Sequence, residues 1–225
     1  MVDLGPLEKK GWVKFPGNIL DIDIAALSEE FEQYYNGKFR LDGYENVAKM
    51  CKTDIKKSDS IASIYEKVKV IIREINGDFL FQKLWLVKST KHNIRADRVP
   101  FVPHIDNQRF LKAMIYLDDV SHEEGPLTIA SADPDKFEAL RKSFTADYKK
   151  KGQNIIQALD ETDYFPCPGE AGTVIFFDTN TPHFAGKIRG DNNTRRVLRF
   201  DFHLDAWNKK SPARKVIDSI GNIFS

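Results

Sequence analysis

The stretch Phe101-Val-Pro-His-Ile-Asp106, followed by the apolar run Phe110-Leu-Lys-Ala-Met-Ile-Tyr-Leu117, decides how the rest of the chain is read. In an extended strand residues i and i+2 point to one face, so His104 and Asp106 can offer an imidazole nitrogen and a carboxylate oxygen to the same point. One neutral and one anionic donor suit iron. A facial arrangement of two histidines and one carboxylate, with open positions, is the known pattern of non-haem Fe(II) oxygenases, so the pair asks for a second histidine from elsewhere. His183, in Thr181-Pro-His-Phe-Ala185, is the candidate, because it follows the strand-like run Gly172-Thr-Val-Ile-Phe-Phe-Asp178 and a turn.

Two other groupings compete with this one. His203-Leu-Asp205 has the same spacing, but it ends a strand and no histidine follows it. His122-Glu-Glu124 lies in a polar turn, with no strand to hold its geometry. Both are taken as incidental matches.

A chain of 225 residues can bury one substantial core, and a single domain over residues 1–225 is expected. With 41% hydrophobic and 30% charged residues, the composition excludes a mainly disordered chain. No apolar run approaches a membrane span, and Met1-Val-Asp-Leu-Gly-Pro-Leu-Glu-Lys-Lys10 lacks the order of a signal peptide. Cys51 and Cys167 lie far apart, so free thiols and a cytoplasmic location are expected. The sequon Asn192-Asn-Thr194 is then incidental.

Residues 88–112 and 187–199, which flank the candidate ligands, hold eleven Lys/Arg against three Asp/Glu, whereas the rest of the chain holds 23 against 30. A basic surround favours small anionic ligands, although the same residues can form a solvated rim. The basic stretches are short and carry no nucleic-acid-binding motif, so a nucleic-acid partner is not expected, nor is a membrane. Oligomeric state is not legible.

Along the chain, Gly11-Trp-Val-Lys-Phe15 reads as a strand stopped by Pro16-Gly17. Asp21 or Asp23 can cap a helix to about Tyr35, with Ile24, Leu27 and Phe31 on one face. Residues 36–58 have no clear pattern. A second helix opens at Ser60, carries Ile61, Ile64, Val68, Ile71, Ile72 and Ile75 at helical spacing, and stops at Asn76-Gly77. Each helix has one apolar stripe and needs a sheet to cover.

From Phe79 the pattern becomes strands: Phe79–Val87, then a polar loop from Lys88 to Arg98, the His104 strand, Leu127–Ala130, Gly172–Asp178 and Arg195–His203. A helix from Asp133-Pro134 to Tyr148 with a solvated Lys149–Lys151 tail is inserted among them. Helices first and antiparallel strands afterwards give an α+β chain with a mainly β core. A double-sheet jelly roll fits, with the amphipathic N-terminal helices packed on one sheet and metal ligands at the mouth.

Taken together, the H-x-D before a strand, Glu124-Gly-Pro-Leu127 before the next, Gly169-x-x-Gly172-Thr-Val-Ile-Phe-Phe-Asp178 leading to His183, and an arginine on the following strand resemble the phytanoyl-CoA dioxygenase family of Fe(II)/2-oxoglutarate oxygenases. The resemblance covers roughly residues 5–205, and Leu7-Glu-Lys-Lys-Gly-Trp-Val-Lys-Phe-Pro-Gly17 looks like that family's opening strand. It implies a double-stranded β-helix in which His104, Asp106 and His183 ligate Fe(II), with 2-oxoglutarate and O2 as cosubstrates. Asp106 implies a hydroxylase rather than a halogenase, because halogenating relatives carry a small residue there. In Gly125-Pro-Leu-Thr-Ile-Ala-Ser-Ala-Asp133, Ala132 and Asp133 replace the family's usual Ser-His ending, a departure on the substrate side.

The family holds the far carboxylate of 2-oxoglutarate with an arginine about eleven residues beyond the distal histidine, a task suited to a permanently charged, forked donor. Position 194 is Thr, leaving Arg195 or Arg196. Arg196 shares its strand face with Leu198, Phe200 and Phe202, which should pack under the helices, so Arg195 faces the cavity and is preferred, with Arg196 the alternative. Lys112, Met114 and Tyr116 share a face of the strand after Asp106 and, with Lys88, are substrate-contact candidates. A cupin-like metalloenzyme without 2-oxoglutarate and a non-catalytic ligand-binding jelly roll remain alternatives.

Overall fold

The computed structural model describes residues 3–204 apart from 18, 39, 42–45, 76–77, 92–98, 107, 143–163 and 192. The elements are α1 Gly5–Lys10, β1 Trp12–Phe15, α2 Ile24–Lys38, β2 Arg40–Leu41, β3 Asn46–Met50, α3 Lys52–Ile55, α4 Asp59–Arg73, β4 Leu80–Thr90, β5 Phe110–Tyr116, β6 Leu127–Ala130, α5 Glu138–Lys142, β7 Tyr164–Pro166, β8 Val174–Asp178, β9 His183–Ala185 and β10 Thr194–His203. They form a seven-stranded antiparallel sheet in the order β1-β8-β5-β10-β4-β3-β2 and a three-stranded sheet β7-β6-β9.

Period-two alternation divides the large sheet into two faces. Leu84 and Leu86 on β4, Leu111, Ala113 and Ile115 on β5, Val174 and Phe176 on β8, and Leu198, Phe200 and Phe202 on β10 pack with the stripes of α2 and α4 in one cluster. Between the sheets lies a second, smaller cluster that includes Trp85, Val87, Tyr116, Leu127, Ile129, Ile175, Phe177 and Val197. This is a double-stranded β-helix with helices on its outer face, as the sequence pattern predicts.

Local chemistry explains the helix boundaries. The Asp23 carboxylate accepts from Ala26 N–H at 3.0 Å and so starts α2, whose Leu27 and Phe31 are fully buried. At the start of α4 the capping oxygen comes from another helix: Glu30 on α2 accepts from Ser60 N–H at 2.9 Å and Ile61 N–H at 3.1 Å, and also from the Ser58 hydroxyl. Ile61, Ile64, Val68, Ile71 and Ile72 are buried as their spacing predicts.

The two sheets are joined through Tyr116. Its hydroxyl donates to Cys167 C=O and accepts from Leu127 N–H, both at 3.0 Å. Gly125 adopts a φ of 67°, and a Cβ there would come within 2.3 Å of the Gly186 carbonyl oxygen, so the Gly-Pro-Leu segment needs glycine for both backbone angle and close approach.

Several expectations are corrected. Residues 88–90 continue β4 instead of opening a loop, because β10 pairs with them: Thr194 lies opposite Thr90 and Arg196 opposite Lys88. The patternless segment 36–58 contains β2, β3 and α3. His104 does not lie inside a long strand; it forms a single bridge to His183. The helix expected from Asp133 begins as a 3-10 turn, Pro134–Phe137, before α5. The Lys149–Lys151 tail, the Asn76-Gly77 stop, Asn192 of the sequon and Asp205 lie outside the described residues. Among those described, no helix is long and apolar enough to cross a membrane.

Candidate metal centre

His104 and His183 face one another across a short antiparallel pairing. His104 N–H donates to His183 C=O at 3.0 Å and His183 N–H donates to His104 C=O at 2.8 Å. Asp106, two residues on, is fixed by its N–H donating to Thr179 C=O at 3.2 Å. Candidate ligand atoms of the three residues lie within 4.8 Å of one another, and both histidines are buried.

The imidazole tautomers follow from their partners. Each Nδ1 sits 2.8 Å from a backbone carbonyl, Val102 for His104 and Thr181 for His183. A carbonyl only accepts, so each Nδ1 carries hydrogen and each Nε2 keeps a free lone pair. Those Nε2 atoms lie 3.6 Å (His104) and 4.0 Å (His183) from Oδ1 of Asp106.

Burial pushes both imidazole pKa values down; in His183, repulsion from His104 adds to it. Burial alone would raise the Asp106 carboxyl, but Lys112, with His183 and His104, holds it well below the usual range. The cluster thus presents two neutral nitrogens and one carboxylate at neutral pH, a donor set that fits a divalent metal of the iron type.

The other sequence candidates separate by strand face. Arg195 is buried on the inner face, where Nη1 donates to the Gly186 carbonyl at 3.3 Å, just beyond the strand that carries His183. Arg196 lies on the helix side, with Nη2 2.5 Å from Oδ1 of Asp118 and Nη1 3.4 Å from Glu32 of α2. Lys88 is also on that side, 2.9 Å from Glu32, which removes it from the cavity and corrects its candidacy. Met114 packs on the inner cluster. Lys112 is buried on the same face with Nζ 2.6 Å from Oδ2 of Asp106. Tyr116 is turned to the inner face too, but its hydroxyl is occupied by the bonds that join the sheets, a structural role in place of the expected substrate contact.

A charged group that is not among the sequence-derived site candidates also lies on this inner wall. Asp201 is almost fully buried and accepts from Trp85 Nε1 at 3.0 Å and Arg199 Nε at 3.2 Å, with Lys83 Nζ at 3.9 Å. Lys83 and Arg199 lie over the Trp85 ring at 4.9 and 5.6 Å. The phase of β10 already put Arg199 and Asp201 beside Arg195, whereas the dense apolar run of β4 hid the matching phase of Lys83 and Trp85. Behind the ligands, Arg109 bridges Asp178 and Asp135, both at 2.7 Å. Asp133, which stands where the family's Ser-His ending would be, accepts from Asp135 N–H at 2.9 Å. His122 and Glu123 are exposed, as a solvated turn requires.

Residues 80–197, just over half of the chain, match the family model for phytanoyl-CoA dioxygenase. No curated protein sequence matches significantly. Among solved structures, the chain is similar to the epimerase SnoN in complex with Fe3+, alpha ketoglutarate and nogalamycin RO, at 20% identity and a TM-score of 0.67 over 88% of this chain and 81% of the other. It is similar to HygX from Streptomyces hygroscopicus with nickel, 2-oxoglutarate and hygromycin B, at 12% identity and TM-score 0.63 over 89% and 86%. The carbocyclase SnoK from nogalamycin biosynthesis aligns at 13% identity and TM-score 0.59 over 89% and 83%.

Proposed function

The chain belongs to the phytanoyl-CoA dioxygenase family, and from that premise we propose that it is an Fe(II)- and 2-oxoglutarate-dependent oxygenase, a single domain over residues 1–225, that hydroxylates a small anionic organic substrate. Succinate and carbon dioxide are the co-products. The observation that carries this is the convergence of two Nε2 lone pairs and Oδ1 of one carboxylate, with both Nδ1–H groups already committed to backbone carbonyls.

His104, Asp106 and His183 hold the iron. Bound iron, with 2-oxoglutarate and dioxygen, supplies the oxidising chemistry. Arg195 holds the far carboxylate of 2-oxoglutarate: its place on the inner face supports it over Arg196, whose guanidinium serves Asp118 and Glu32. Val87, Ile175 and Val197 make the inner face apolar beside these charged groups. An acidic ligand at position 106 supports hydroxylation over halogenation.

Charge supports an anionic substrate. Lys83, Lys112 and Arg199 face inward alongside Asp201 and Asp106, and neutralising those two carboxylates leaves a cation in excess before any metal is counted. HygX and SnoN are described with the small molecules hygromycin B and nogalamycin RO, which supports a small organic substrate.

The decisive experiment is an anaerobic visible spectrum of metal-free protein given Fe(II) and then 2-oxoglutarate, with His104→Ala and Arg195→Ala beside it. A weak charge-transfer band is expected that needs both additions, is lost in the first variant and demands more 2-oxoglutarate in the second. Bound iron without any band in the wild type would overturn the 2-oxoglutarate assignment and bring forward a cupin-like metalloenzyme or a binding module.

A further inference from the structure

We infer that Lys112 is a positioning residue: it holds Oδ2 of Asp106, so that the carboxylate offers a metal Oδ1 alone. The inference rests on the metal-ligand assignment proposed above and assigns Lys112 a task different from the substrate contact expected of it.

The two carboxylate oxygens of Asp106 have different neighbours. Oδ1 faces both histidine Nε2 atoms, at 3.6 and 4.0 Å, whereas Oδ2 lies 2.6 Å from Lys112 Nζ. Lys112 is 6% exposed, and an ammonium that deep in a protein needs a charged partner to offset its lost hydration. A second carboxylate is close, since Asp201 is the cross-strand partner of Lys112 on β10. That carboxylate already receives Trp85, Arg199 and Lys83. Lys112 is therefore directed to Asp106, with Nζ also 5.9 Å from the centroid of the Phe177 ring.

The consequence is a count of coordination positions. A six-coordinate ion held by three protein atoms keeps about three positions open. Were Asp106 to bind through both oxygens, about two would remain, and a chelating cosubstrate would leave none for dioxygen. A cation fixed on Oδ2 keeps the third position open. Two separate segments constrain Asp106: its N–H is held by Thr179 C=O just beyond β8, and its Oδ2 is held by Lys112 on the neighbouring strand β5.

The test uses Mn(II), whose bound exchangeable waters are read by water-proton relaxation per bound ion, with affinity read in parallel from the free-ion electron paramagnetic resonance signal. Wild type, Lys112→Met and Lys112→Arg are compared, and circular dichroism checks folding. Lys112→Met is expected to lower the relaxation per bound Mn(II) by roughly a third, one water of about three, and Lys112→Arg to restore it. Unchanged relaxation in Lys112→Met overturns the inference, and so does an equal fall in Lys112→Arg, which would mark the effect as packing. Should Lys112→Met fail to fold, Lys112→Ile, β-branched and apolar as the strand favours, decides in its place. Failure of the wild type to bind Mn(II), or binding that survives His104→Ala, would strike the ligand assignment itself and is separable from both outcomes.

Discussion

Strand β10 runs two unlike regions side by side. Toward the helices it sends Leu198, Phe200 and Phe202, all at 1% exposure or less and packed with α2 and α4. Toward the smaller sheet it sends Arg195, Val197, Asp201 and His203, also buried, and the partly exposed Arg199, so this face is mostly charged or polar. Burial alone therefore says nothing about role. On the outer face burial removes apolar surface from water and stabilises the fold; on the inner face each buried charge costs desolvation and persists only with a partner. The lesson is that function here is written in buried polarity, one residue out of phase with the core.

Predictions that try to break this division can be ordered by size. The largest is on the outer face: Phe200→Ala should lower unfolding free energy by about 3–5 kcal/mol, measured by denaturant titration, while the molecules still folded bind metal as the wild type does. Loss of metal binding by the folded fraction would show that the faces are not separable. Next, Arg195→Ala should raise the 2-oxoglutarate concentration needed for half-maximal binding by about 100-fold, from loss of charge-assisted hydrogen bonds worth ~1.5–3 kcal/mol each. Arg196→Ala, one residue away on the other face, should leave that requirement unchanged and show only in stability; equal effects would erase the distinction.

The third prediction concerns pH. His104 and His183 have folded pKa values below their unfolded ones, so the unfolded chain takes up protons first as pH falls. Their contribution to the stability of metal-free protein is complete above about pH 6.5 and is lost below it, by about 1.4 kcal/mol per pH unit for each proton the unfolded chain gains. A denaturation series from pH 8 to 5 should show this fall, and His183→Gln should reduce its slope. A slope unaffected by that change would mean that buried neutral imidazole does not govern it. The smallest effect is expected at Lys88→Ala, whose partly exposed pair with Glu32 should contribute no more than about 1 kcal/mol and leave cosubstrate binding alone.

Much of this arrangement was legible before the structure. Two-residue alternation in β10 separates Arg195 from Arg196, and helical spacing identifies the stripe from Ile61 to Ile72. What periodicity could not give were contacts between distant segments. Glu30 capping α4 depends on the packing of two helices, and nothing local at Ser58 announces it. Lys88 differs from its sequence expectation for the same reason: its polarity reads as a loop, but pairing with β10 extends the strand and turns its ammonium to Glu32. Lys112 was on the expected face, but its partner could be known only once Asp201 was seen to be satisfied by Trp85, Arg199 and Lys83.

The reciprocal main-chain bonds between His104 and His183 have an evolutionary corollary. The spacing of the two imidazoles is set by a single rung of backbone pairing and owes nothing to the length of chain that separates them. Loops between the two histidines can therefore grow, shrink or be exchanged, altering what enters the cavity, while the pair stays in register. Such a site can be inherited intact by enzymes whose intervening sequences have diverged beyond alignment.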